Sequence, residues 1–148
     1  MKPDLSRFLG VAASHLMTRT APALPAGYEQ SSAAALGAMM IAFGEEAERA
    51  AARRIDENGA LRTLFADAAA HVEDAQLAGR LEEAAAGREA SFLVSDLQAA
   101  NAELRALLIE LHERAEALGT AKAQRIDAAI WRELARSTER RKLLMGPF

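Results

Sequence analysis

The stretch SFLVSDLQAANAELRALLIELHERAEALG, Ser91 to Gly119, decides how the chain folds. Leucines recur at every seventh position, at Leu97, Leu104, Leu111 and Leu118. Three residues before each stands a second series, Val94, Asn101, Leu108 and Ala115. In heptad notation the leucines take d and the second series takes a, through four consecutive heptads. A coiled coil between two copies and a helix inside a single-chain bundle share this geometry. The flanking positions separate them. A dimeric zipper sets opposite charges at e and g. Here g holds Leu93, Ala100, Leu107 and Arg114, and e holds Gln98, Arg105, His112 and Gly119. An apolar g series widens the buried stripe to about three positions per heptad, the pattern of a bundle helix. The seam is therefore expected mainly inside one chain. Asn101 is then a buried or half-buried amide satisfied by a neighbouring helix or the backbone.

The rest of the composition agrees with an all-α chain. Alanine, the best helix former, dominates the apolar content, and aromatic residues make up only 5%. The 148 residues are enough for one domain with a real core, so a single helical domain over 1–148 is expected. A net charge of −3 gives no general attraction to nucleic acid or to an anionic membrane. The absence of cysteine excludes disulfides, thiolate metal sites and a thiol nucleophile, and it fits a cytoplasmic protein. No apolar run reaches the roughly 18 residues that span a bilayer.

Five helices are predicted, two of them long and central. The first covers about Asp4 to Thr20, with Asp4 as its cap and Leu5, Phe8, Leu9, Ala12 and Leu16 as one apolar face. Pro22 and Pro25 then stop it. The second starts near Tyr28 and is uncharged from Ala33 to Phe43, which places that half at the centre of the bundle. Ala33, Gly37, Gly44 and Ala51 cluster on one flank, a ridge where another helix can come close. Asn58-Gly59 is a natural end, yet Leu36, Phe43, Ala47, Leu61 and Phe65 keep one phase if the helix runs on to about Ala66. The sequence leaves both courses open. A third helix is read over His71 to Ala86, the heptad helix is the fourth, and a fifth runs from about Thr120 to Leu144 with Ile126, Ile130 and Leu134 inward.

Chemistry is hard to find. The residues three before His15, His71 and His112 are Ala12, Ala68 and Ile109, so the Glu-x-x-His pairs of a carboxylate-bridged di-metal bundle are missing. His112 and Glu116 share a face at i, i+4, a spacing common in solvated helices. No phosphate-binding loop and no nucleophile elbow occurs. No catalytic residue, metal or cofactor is assigned. The last helix is basic, and Arg132, Arg136 and Arg140 recur at four-residue spacing as a candidate anion patch. Cations near a helix C-terminus also offset its dipole.

The order of parts resembles a family of small all-helical bacterial proteins of unknown function. It rests on a short first helix, a proline-containing pause, a long Ala/Glu/Arg-rich helix and the segment DLQAANAELRALL, Asp96 to Leu108. Members of that family are encoded beside acyl-CoA dehydrogenase-like and aminoglycoside-phosphotransferase-like enzymes. The resemblance implies an accessory or partner-binding role and brings no catalytic residue. The leading expectation is a non-catalytic, oligomerising helical protein that binds another protein. The alternative is a binder of acyl or phosphorylated small molecules, with an apolar pocket lined by Met39, Met40, Phe43 and Trp131. A count of apolar faces predicts a homodimer, built on the first helix, the flank of the second, or the last helix near Trp131 and Leu134.

Overall fold

The computed structural model describes residues 4–143, which contain no strand. Five helices carry the fold: α1 (Leu5–His15), α2 (Tyr28–Ala69), α3 (Ala75–Ala86), α4 (Val94–Leu118) and α5 (Ala121–Arg141). The chain is all-α. It forms two compact units, one taking in the chain up to Ala50 and the other Ala51–Lys142. Among the described residues no helix is long and apolar enough to cross a membrane.

In the first unit, Asp4 caps α1 by accepting from the Arg7 N–H at 2.9 Å. Past His15 the winding loosens into a π-helical stretch, Leu16–Thr20, and one further turn, Ala21–Ala23. Pro22 sits in the first residues of that turn. Pro25 forces Leu24 into an extended conformation and ends it. The chain then reverses into α2. A Cβ added at Gly37 would lie 2.5 Å from Met17 Cγ and 3.1 Å from the Ala13 carbonyl oxygen. At Gly44 the nearest atom would be the Ser6 carbonyl oxygen, at an ordinary 3.6 Å. Later residues of α1 thus meet earlier residues of α2, and the two helices are antiparallel. Two members of the predicted small-residue ridge, Gly37 and Gly44, lie on the line of contact, and the close crossing is at Gly37.

That contact overturns two expectations. The apolar face predicted for α1 does not turn inward as a whole: Leu5 and Phe8 are exposed, and Ala13 is the buried residue. A helix can present only one side to a neighbour, and the side that fits against Gly37 and Gly44 carries Ser6, Leu9 and Ala13. The uncharged half of α2 is likewise not the centre of a core, because Leu36, Met39 and Phe43 are exposed.

The core lies in the second unit, where the later half of α2 meets the heptad helix α4. Phe65, Leu77, Leu81, Leu97, Leu111 and Ile130 are fully buried. The heptad seam is buried within the chain at Leu97, Asn101, Leu104, Leu108, Leu111 and Ala115, with Leu107 adding the g position. Only its ends, Val94 and Leu118, stay exposed. Helix α2 runs unbroken through Asn58-Gly59. Gly59 faces open space, so its only cost is the weak helix propensity of glycine. Asp74 starts α3 by accepting from the Gln76 and Leu77 N–H groups, later than the expected His71. Gly119, at φ 61°, closes α4 in the left-handed conformation, and Thr120 caps α5 at once. So short a link makes α4 and α5 antiparallel neighbours.

Two expected outcomes follow from the packing. Leu104→Ala should cost about 2–5 kcal/mol and lower the melting temperature of the whole second unit. Dissociation into well-folded, equally stable monomers would show that the seam is not intramolecular. Gly37→Leu should overpack α1 against α2 by about 1–3 kcal/mol, whereas Gly44→Ala should be neutral or stabilising by up to about 1 kcal/mol. Hydrogen exchange at the amides of residues 36–43 reads both, and equal protection in the two variants would contradict the crossing.

Candidate functional site

Two adjacent residues of α2, Glu57 and Asn58, anchor a buried polar seam in the second unit. Consecutive residues on a helix point about 100° apart. Asn58 therefore addresses α4 while Glu57 addresses α5. The Asn101 side-chain N–H donates to Asn58 Oδ1 at 2.9 Å, and Asn58 donates to the Leu97 carbonyl at 3.3 Å. Asn101 is thus the satisfied buried amide that the heptad predicted, held inside the chain.

Glu57 accepts from Ser137 Oγ at 2.5 Å, from Arg141 Nε and Nη2 at 2.7 and 3.0 Å, and from Arg54 Nη1 at 2.8 Å. Arg54 also donates from Nε to Gln98 at 2.6 Å, which joins α4 to the same network. Burial pushes the Glu57 carboxyl up. The hydrogen bonds from Arg141 and Ser137, with the charges of Arg141 and Arg54, outweigh that and lower its pKa from 4.5 to about 2. A carboxylate with both oxygens engaged and so low a pKa is a poor proton acceptor at neutral pH. Its chemistry is structural.

A second cluster sits where α4 meets α5. His112 Nε2 is 2.8 Å from Asp127 Oδ1 and 3.7 Å from Glu116 Oε1. The Trp131 ring stands edge-on to the imidazole, with centroids 5.5 Å apart at 83°. One imidazole and two carboxylates within 4.8 Å are a ligand set that a divalent cation could use. The spacing fits a hydrogen bond better. Two ligands about 2.0 Å from a tetrahedral zinc stand roughly 3.3 Å apart, and the histidine–aspartate contact is shorter than that. The pair reads as an α4–α5 clamp with Trp131 as its cover.

The third feature is a groove of about 430 Å³ between the later half of α2 and α5. Leu64, Ala68, Ile126 and Ala129 form its floor, and Arg125, Arg132 and Arg136 line it from α5.

The predicted site residues distribute as follows. Met39, Met40 and Phe43 belong to the first unit, with Met39 and Phe43 exposed and Met40 half-buried. Trp131 and Leu134 belong to the second, where Leu134 packs on the core and Trp131 is exposed beyond its contact with His112. The predicted anion patch divides: Arg132 and Arg136 line the groove, and Arg140 pairs with the buried Glu133. Glu57, Asp127 and Arg125 escaped the sequence reading. Their partners lie on other helices, and nothing local in the sequence marks them.

The linkage of Glu57 sets a pH dependence. Its folded pKa is depressed, so it stabilises the fold fully above about pH 4.5 and progressively less as pH falls towards 2. The contribution is on the order of 1–2 kcal/mol, discounted for screening because Arg141 is itself partly exposed. Glu57→Gln should destabilise at neutral pH and flatten that acid limb in urea titrations. An unchanged slope between pH 4.5 and 2 would show that Glu57 is not held ionised.

Compared with known proteins, the chain matches no family model, no curated protein and no solved structure.

Proposed function

We propose that the protein is a non-catalytic helical accessory protein of the cytoplasm, which pairs with a second copy of itself and works through protein–protein contact. The observation that carries this reading is the make-up of the first unit. Among the described residues up to Ala50, those that are buried are Ala13, Ala21, Ala33, Gly37, Gly44 and Ala50. None is larger than alanine, while Leu5, Phe8, Leu36, Met39 and Phe43 are each exposed. Alanine and glycine contacts alone remove little apolar area from water, so such a hairpin lacks a core of its own.

The exposed side chains also fall together. At about 100° per residue, Leu5 and Phe8 lie to one side of the line along which α1 touches α2. Leu36, Met39 and Phe43 lie to one side of the matching line on α2. Because the helices are antiparallel, these are the same side of the hairpin. Five such side chains offer on the order of 600 Å². Pairing the face with its own copy about a two-fold axis covers about 1,200 Å² in all, the lower end of stable interfaces. Two hairpins so joined make a four-helix bundle with aromatic and leucine side chains between them.

Sedimentation at micromolar concentration tests this. The expected mass is twice the 15.9 kDa of one chain, and Phe8→Glu or Phe43→Glu should return it to one. A wild-type mass of 15.9 kDa would reject the pairing.

A further inference from the structure

The arginines of α5 sort into two groups. Arg140 is paired with Glu133, and Arg141 with Glu57. Both lie in the last turn, where cations also offset the helix dipole. Arg125, Arg132 and Arg136 are different. All three line the groove between α2 and α5, and none makes a hydrogen bond or ion pair among the described residues. The dipole does not account for them either: Arg125 stands in the N-terminal part of α5, where a cation is unfavourable, and Arg132 and Arg136 stand before its last turn, beyond which the effect falls off. The acids in the groove are Asp67 and Glu133, and Arg140 already engages Glu133. The groove is therefore positive on a chain whose net charge is −3.

We propose that this groove docks an acidic amphipathic helix of a partner protein. The shape favours a helix. Two packed helices leave a channel along their length, and the alanines that line it, Ala60, Ala68 and Ala129, let a third backbone come close. The charge spacing favours the same occupant. Arg125 and Arg136 are about 16 Å apart along α5, too far for one small anion to bridge, which could engage Arg132 and Arg136 at most. A helix lying alongside repeats its own side chains at four and seven residues, the spacing of these arginines, and so reaches all three. Its apolar face would cover Leu64 and Ile126, as in other helix-in-groove complexes. This inference rests on the second unit and does not depend on the pairing of the first.

The test uses the full chain and a labelled synthetic helix of about 18 residues, with glutamates at four- and seven-residue spacing beside a leucine stripe. Fluorescence anisotropy should show saturable binding at low salt, weakened about tenfold or more at roughly 0.5 M salt. Arg132→Gln with Arg136→Gln should weaken it about tenfold or more at an unchanged melting temperature, because neither side chain has a hydrogen-bond or ion-pair partner among the described residues. Arg7→Gln, in the first unit, should leave it unchanged. NMR shifts on adding the peptide should map to Leu64, Ala68, Ile126 and Ala129. The proposal fails if the peptide does not bind, if a glutamine version binds equally well, or if the double variant binds as the wild type does. It also fails if dodecanoate or inorganic phosphate shifts those groove resonances and the peptide does not, which makes the groove a small-anion site.

Discussion

The second unit depends on how one helix is rotated about its own axis. Asn58 and Glu57 are neighbours on α2, and each is pinned to a different helix: Asn58 by the amide pair with Asn101 on α4, Glu57 by Ser137 and Arg141 of α5. Turning α2 by even a third of a turn would strand both side chains in an apolar interior. An unpaired buried amide costs about 1–3 kcal/mol and an unpaired buried charge more. Leucines slide past one another at small cost, so the leucine seam alone leaves register loosely set. The polar pair forbids the slide. Asn101 does within one chain what a lone a-position asparagine does between two.

The same helix plays opposite parts at its two ends. After Ala50, α2 presents leucine and phenylalanine to other helices of its own unit and buries them. Before Ala50 it presents alanine and glycine to α1 and leaves its large apolar side chains in water. Close approach and large side chains exclude each other on one face. A crossing tight enough to need Gly37 has no room for Met39 or Phe43, which must then point elsewhere. The exposed apolar face thus follows from the glycine crossing. At about 600 Å² it stands at the upper end of the apolar patches that monomers leave open.

What the sequence discloses follows from periodicity. The all-α class, the five helices, the buried d leucines Leu97, Leu104 and Leu111 and the satisfied Asn101 are all legible from patterns that repeat along single helices, and repetition survives without knowledge of partners. The passage of α2 through Asn58-Gly59 was open because two local rules conflict there. Turn propensity favours a stop and hydrophobic phase favours continuation. The Asn58–Asn101 pair, 43 residues apart, resolves the conflict, and no window around Gly59 contains it. The face of α1 was misread for a related reason. Five apolar residues define an amphipathic stripe, but an apolar stripe is satisfied as well by a second chain as by the first. Only the positions of Gly37 and Gly44 reveal which side of α1 its own chain uses.

The charged residues show the same division between accounted and unaccounted groups. Glu57 looks at first like a candidate for catalysis, being a buried carboxylate with a strongly shifted pKa. The direction of the shift removes it. A general base near neutrality needs burial to win over its hydrogen bonds, and here the donors win. His112 is likewise engaged, with Asp127 at hydrogen-bond distance. What is left over in the second unit is a row of cations beside an apolar floor. Buried charges that are fully paired explain a fold. Charges aligned at helical spacing with no hydrogen bond or ion pair among the described residues contribute little to it, since surface cations repel one another and stabilise a protein only through partners. Such a row has its physical reason outside the chain, in an anion of matching length.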